Sequence, residues 1–149
     1  MQKLFRFKYE PCNGMCYAWC DKLTTELLKL TVGNRQALVA TMTKAHDRLC
    51  DNPNYSFGVD VDAAGTTFVA HFRTPEKTDL YSSKDFVNVV SMVCTEVMKA
   101  DIPQIKGDCV YGANGAEDLG REILRACEDI AYREEHHNNC PCKHTALPG

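Results

Sequence analysis

The sequence has no long apolar run, no basic surplus and no export signal. No stretch approaches the roughly 18 uncharged apolar residues that a membrane-spanning helix needs. The net charge is −3 and the 17 Lys and Arg residues are scattered, whereas a nucleic-acid-binding protein typically has a basic face. Residues 1–10 alternate apolar and charged side chains, which an export signal with its unbroken apolar core does not do. We therefore expect a cytoplasmic protein that binds neither nucleic acid nor a membrane.

Motifs that would fix a reaction are missing as well. The loop from Gly112 to Gly115 precedes a predicted helix, but it has neither the Gly-Lys-Ser/Thr end of a P-loop nor the glycine fingerprint of dinucleotide-binding proteins. No serine or cysteine stands in a context that marks a catalytic nucleophile. The sequence therefore leaves open whether the chain is an enzyme.

Cysteine is what the sequence has in excess, with nine residues in a chain of 149. A reducing cytoplasm disfavours structural disulfides, so cysteine at this density indicates metal binding or redox chemistry. The odd number also excludes complete pairing within the chain. Cys50, Cys94 and Cys127 each lie on or at the end of an apolar helical pattern, and we predict that they belong to the core.

Three cysteines near the N-terminus, Cys12, Cys16 and Cys20, are spaced four residues apart. A turn at Asn13-Gly14 predicts a helix from Met15 to Leu30. Residues four apart lie on one face of a helix, so Cys16 and Cys20 are predicted to share one metal ion, with Cys12 as a third ligand from the preceding chain. The positive end of the helix dipole also favours thiolate over thiol at this place.

A second cluster follows at the C-terminus, where five soft or borderline ligands lie within nine residues: His136, His137, Cys140, Cys142 and His144. Any four of them could surround a tetrahedral ion, and His136, Cys140, Cys142 and His144 make one such set. Mixed Cys and His ligation favours zinc, and an iron–sulfur cluster is the second candidate because clusters prefer thiolates. We expect a structural rather than a catalytic metal, because no acid or base is evident beside an open ligand position.

Other interpretations of the two Cys/His clusters stay open. Because chain termini often lie close together, one hypothesis is that the two clusters form one site or one binuclear site, and the other is that they are separate. Alternatively, Cys140 and Cys142 would be the attacking and resolving thiols of a thiol–disulfide or persulfide redox protein, with the nearby histidines lowering a thiol pKa. A third reading is a protein-interaction module without metal, whose protein partner the sequence does not identify.

The apolar pattern predicts one α+β domain over residues 1–137 and an irregular tail over 138–149 that carries metal ligands. A small, mostly antiparallel sheet would combine an N-terminal strand, Lys3–Glu10, with a central hairpin of Phe57–Val61 and Phe68–Phe72. About four helices would cover the sheet, and one more short strand would follow the third helix. The helices are predicted at Met15–Leu30, Asn34–Leu49, Ser82–Ala100 and Asn114–His136, and the extra strand at Ile102–Val110.

The polar residues of these strands alternate with the apolar ones. Leu4, Arg6 and Lys8 are predicted to face away from Phe5 and Phe7. Likewise, one face of an antiparallel sheet usually meets water. We therefore predict solvated carboxylates for the pair Asp60 and Asp62. For His46 and His71 we predict surface or hydrogen-bonded roles rather than metal ligation.

Overall fold

The computed structural model describes residues 1–8, 17–49, 52–103 and 115–139. In this part of the chain five strands form one sheet of order β2-β1-β3-β4-β5, and every neighbouring pair is antiparallel. The strands are β1 (Gln2–Lys8), β2 (Tyr17–Trp19), β3 (Ser56–Val61), β4 (Phe68–Arg73) and β5 (Thr78–Ser83). The helices described are α1 (Asp21–Leu28), α2 (Val32–Leu49), α3 (Phe86–Lys99) and α4 (Gly115–Asn139). The predicted α+β class with a small antiparallel sheet is confirmed.

The central hairpin forms where the alternation of apolar residues predicts it. Phe57 pairs with Phe72, and Val59 pairs with Ala70, and all four side chains are buried. In the turn, Gly65 has a φ of +74°, a conformation that glycine adopts without the strain of a Cβ atom. The Asp62 carboxylate accepts hydrogen bonds from the backbone N–H groups that follow the turn, and these bonds lower its pKa. Asp62 is therefore a turn residue rather than a free acid.

A β-bulge in β1 changes the predicted facing of one residue. The register between β1 and β3 shifts between Lys3 and Phe5, which leaves Leu4 as the extra residue. Leu4 and Phe5 are both fully buried. Strict alternation predicts Leu4 on the polar face with Arg6, and that prediction is wrong because a bulge places two successive residues toward the core.

The predicted helix Met15–Leu30 is also wrong at its start. Tyr17–Trp19 pairs with Phe5–Phe7 as the edge strand β2, and α1 begins only at Asp21. Aromatic side chains suit a strand, and pairing with β1 satisfies backbone groups at the sheet edge. Cys20 is the N-cap of α1, whereas the predicted helix from Met15 would place it in the second turn. The helix that was predicted to carry Cys16 and Cys20 on one face therefore does not form.

Strand β5 was not predicted, and it replaces the expected start of the third helix. Ser82 pairs with Val69 as part of β5, and the N-cap of α3 is Asp85, whose side chain accepts a hydrogen bond from Val87 N–H. Along β5 every side chain is exposed or half-buried, so the strand has no apolar alternation to reveal it. Ile102 and Pro103 are not in a strand, and the rest of the predicted strand lies outside the described residues.

The helices cover one face of the sheet in two layers. α1, α2 and α3 contact the strands, and α4 packs on α1 and α2. His46 of α2 is buried, and its ring meets that of Phe7 edge-on with the ring centroids 5.4 Å apart. Of its two predicted roles, surface or hydrogen-bonded, the surface role is therefore wrong. Gly120 lets α4 approach α2, because a Cβ there would lie 3.2 Å from Thr43 Cγ2. None of the helices within the described ranges is long and apolar enough to cross a bilayer.

Candidate functional sites

The structure describes the side chain of only one of the eight predicted metal ligands, Cys20. Cys12, Cys16, Cys140, Cys142 and His144 lie outside the described residues, and for His136 and His137 only the helical backbone is described. Among the described side chains, no group of three His, Cys, Asp or Glu is placed to hold a metal ion. The metal site and the joining of the two clusters therefore stay predictions.

Cys20 sits where the chain passes from β2 into α1. Its backbone N–H donates to the carbonyl oxygen of Leu4 at 3.0 Å, and its thiol donates to the carbonyl oxygen of Lys3 at 2.9 Å. The side chain is partly exposed and packs against the core at its edge. Since a metal binds the thiolate, coordination by Cys20 would remove the proton that the Lys3 carbonyl accepts.

The C-terminal cluster begins on a solvent-exposed part of α4. Cys127 is buried, whereas every side chain from Ala131 to Glu135 is exposed. The helix continues through His136 and His137 to Asn139, three residues beyond its predicted end. At about 1.5 Å per residue, its last residue lies roughly 18 Å along the axis from Cys127. The donors that precede Cys140 therefore follow directly on a water-facing stretch of helix.

Two further cysteines, Cys94 and Cys127, belong to the core as predicted. Both are fully buried. Burial raises the pKa of the Cys94 thiol to about 12 and raises that of Cys127 as well. A thiol that stays protonated at neutral pH is a poor nucleophile and a poor ligand. These residues therefore act as small apolar side chains. Cys50 lies outside the described residues.

A second candidate site, which sequence reasoning missed, lies on the sheet face opposite the helices. We call it the groove face, and its central row runs across four strands in register as Arg6, Gly58, His71 and Leu80. The three side chains of this row line a groove of about 530 Å³ together with neighbouring residues such as Asp60 and Arg73. The volume is within the range of small-molecule sites.

Arg6 and Asp60 form the fixed ion pair of this groove. The two guanidinium nitrogens of Arg6 donate to the two carboxylate oxygens of Asp60 at 2.7 and 3.2 Å, and Arg6 also donates to the carbonyl oxygen of Phe5. Their side chains are 33% and 21% exposed. The prediction that Asp60 is merely solvated is therefore wrong, because its charge is held by a forked pair.

His71 forms the floor of the groove, and it fits only because residue 58 is glycine. A Cβ on Gly58 would lie 3.0 Å from both Cε1 and Nε2 of His71, and 2.3 Å from the carbonyl oxygen of Phe5. Nε2 is buried and has no hydrogen-bond partner among the described residues. Burial lowers the pKa of His71, the charge of Arg6 lowers it further, and Asp60 opposes both effects. The neutral form of the imidazole therefore predominates at pH 7.

Arg73 is the cation of the groove that has no acidic partner within the described part of the chain. Its Nε donates to the hydroxyl oxygen of Ser56 at 3.3 Å. Ser56 and Thr78 are its register partners on the two adjacent strands, so two hydroxyl groups flank it on the same face. The side chain of Arg73 is exposed.

Comparison with protein-family models, with curated proteins and with solved structures finds no match to this chain. The two candidate sites must therefore be judged on their own residues. Arg6, His71 and Arg73 give no local motif, and their only sequence signal is a polar residue at alternate positions of a strand. Arg6 and Asp60 are 54 residues apart in the sequence, and only the pairing of β1 with β3 brings them together.

Proposed function

We propose that this chain binds a soft or borderline metal ion, with zinc as the preferred ion and a structural role for the metal. The observation that carries the proposal is the density of donors at one end, with three imidazoles or thiols at 136, 137 and 140 and two more at 142 and 144. Free thiols exposed at such density are a liability unless they have a use. A cytoplasmic location, where thiols stay reduced, fits that use.

The chemistry of the set suits a tetrahedral ion. His136, Cys140, Cys142 and His144 would supply two neutral imidazoles and two thiolates, a common zinc combination. Successive residues of a helix are separated by about 100° around its axis, so one ion would take either His136 or His137 rather than both. The C-terminal end of a helix carries partial negative charge, which favours a bound cation. The exposed Glu134 and Glu135 add negative potential beside it.

The N-terminal cysteines are assigned a secondary place in this proposal. Cys20 is at the N-cap of α1 and its thiol proton is already used in a hydrogen bond to Lys3. Cys12 and Cys16 would either complete the first site or hold a second ion. Sharing between the two ends predicts that replacing Cys16 and Cys20 by serine lowers the bound metal, whereas separate sites predict no change at the C-terminal set.

The test is metal content of the full, untagged chain made without added metal. We expect about one zinc per chain at the C-terminal set in elemental analysis, and the double variant Cys140→Ser/Cys142→Ser should lose that ion. The matched control is Cys94→Ala, which removes a buried thiol and should keep the metal. Unchanged metal content in the double variant, or no metal in the wild type, would overturn the proposal.

Two measurements on the same material separate the alternatives. Iron with visible absorption would assign an iron–sulfur cluster to the cysteines instead of zinc. Metal-free wild type in which one thiol among Cys140 and Cys142 reacts much faster with an alkylating reagent at neutral pH would assign thiol redox chemistry. Absence of metal together with normal stability after cysteine replacement would favour the interaction module.

A further inference from the structure

The groove face has the charge balance of a site for one anion. The forked pair of Arg6 and Asp60 cancels in charge, and the imidazole of His71, covered on one side by the sheet, is neutral. Arg73 therefore leaves the groove with one uncompensated positive charge among its described residues. A guanidinium group presents donors in a planar fork that matches the oxygens of a carboxylate or phosphate group.

One hydrogen bond orients the guanidinium of Arg73 on the groove face. The hydrogen bond from Nε to Ser56 uses one edge of the group and leaves both terminal nitrogens for a ligand. Thr78, its partner across to β5, adds a second hydroxyl at the same level of the sheet. An oxyanion on Arg73 would therefore meet one charged and two neutral groups, which is a typical set for small polar head groups.

The central row of the groove face ends in an apolar side chain that is exposed to water. Leu80 is 67% exposed although it stands in the middle of a strand. Leu80 pairs with His71, which precedes Arg73 by two residues on β4 and therefore points to the same face. The half-buried Val69 lies on this face as well. A ligand that covered Leu80 would remove apolar surface from water at about 25 cal/mol per Å². This surface favours an anion with an apolar body over a free inorganic ion.

We propose that the groove face binds a small organic anion, with its oxyanion head on Arg73 between Ser56 and Thr78 and its apolar body on Leu80. The site uses none of the predicted metal ligands, so it stands or falls independently of the metal proposal. Arg6 and Asp60 form the wall of the site, and His71 forms its floor. Carboxylates and phosphate esters share the head-group chemistry that this arrangement recognises.

The test is a titration of the full wild-type chain, followed by amide NMR shifts, with phenyl phosphate, phenylacetate and inorganic phosphate. We expect saturable shifts at residues of β3, β4 and β5 with at least one of the two organic probes, and weaker binding of inorganic phosphate. Arg73→Gln should weaken binding by at least about tenfold, because it removes the charge and the fork. The tighter organic probe identifies the head group as phosphate or carboxylate.

Matched variants separate a built site from general attraction of anions. Arg133→Gln removes the same charge from the exposed end of α4 and should leave binding unchanged. Arg73→Lys keeps the charge without the fork and should bind between wild type and Arg73→Gln. Leu80→Ser should weaken the organic probes but not inorganic phosphate. Circular dichroism checks that each variant is folded.

Three results would overturn the proposal. The first is the absence of a saturable shift with either organic probe up to about 10 mM, because a dissociation constant above that concentration would not indicate a specific site. The second is equal weakening by Arg133→Gln and Arg73→Gln, which would show general electrostatic attraction. The third is saturable binding whose shifts map away from β3, β4 and β5.

Discussion

The two faces of the sheet are built from the same strands but differ in packing: one is buried under the helices and the other lines an open groove. On the helix face, Phe5, Phe7 and Phe57 meet one another at ring distances between 4.8 and 6.0 Å and are fully buried. On the groove face, Gly58 has no side chain, and the Phe5 carbonyl oxygen and the His71 ring occupy the space that its Cβ would take. The open volume on this face is the groove lined by the surrounding polar side chains. A filled face stabilises the fold, whereas an incompletely filled face with fixed charges leaves room for a ligand.

The largest expected effect breaks the filled face. Phe57→Ala removes a fully buried ring and should lower the free energy of unfolding by about 3–5 kcal/mol. The matched control is Leu80→Ala on the groove face, where most of the side chain is exposed, with a change within about 0.5 kcal/mol. Urea unfolding followed by circular dichroism measures both, and similar losses for the two variants would contradict the contrast between the faces.

A smaller effect tests the close packing around Gly58 on the groove face. Gly58→Ala places a Cβ 2.3 Å from the carbonyl oxygen of Phe5, so β1 and β3 must shift apart. We expect a loss of about 1–3 kcal/mol in unfolding free energy, typical of overpacking. Gly33→Ala is the control, because a Cβ there meets nothing within 4 Å. A Gly58→Ala variant as stable as wild type would show that His71 and the strands adjust without cost.

The smallest expected effect concerns the charge state of His71. Its pKa is lowered in the folded chain, so the unfolded chain binds more protons as the pH falls through the ordinary histidine range near 6.5. The neutral His71 side chain contributes fully to the stability of the fold above the ordinary histidine range. That contribution is lost as the pH falls toward the lowered pKa of His71 in the folded chain. The wild type should therefore lose more stability than His71→Gln between pH 7.5 and pH 5. Parallel pH profiles of urea midpoints in the two proteins would contradict this assignment.

Local patterns carried much of the fold prediction. Alternation at Phe57, Val59 and Val61 identifies the hairpin, and the valines of α3 recur at helical spacing. β2 and β5 were not predicted, because their sequences have no alternation of apolar and polar residues. Each of them forms by pairing with a neighbouring strand. The bulge at Leu4 likewise depends on the register with β3. Tertiary pairing therefore decided the elements that local patterns could not.

The candidate sites differ in the same way. The donors from His136 to His144 are neighbours in sequence, so they can be recognised without a structure, and their coordination stays a prediction. Arg6 and Asp60 are joined only through the pairing of β1 with β3, and Arg73 meets Ser56 only through the hairpin register. No spacing rule relates these residues. Their grouping follows from sheet topology, which a single sequence does not reveal.

The two core thiols give this chain an internal reporter of its own opening. Cys94 and Cys127 lie on different helices and are sealed from solvent in the native state. A thiol reagent reaches them only when α3 or α4 separates from its neighbours, so their labelling rates measure how often each helix detaches. Equal rates would mean that the two helices leave together, and unequal rates would rank their local stabilities.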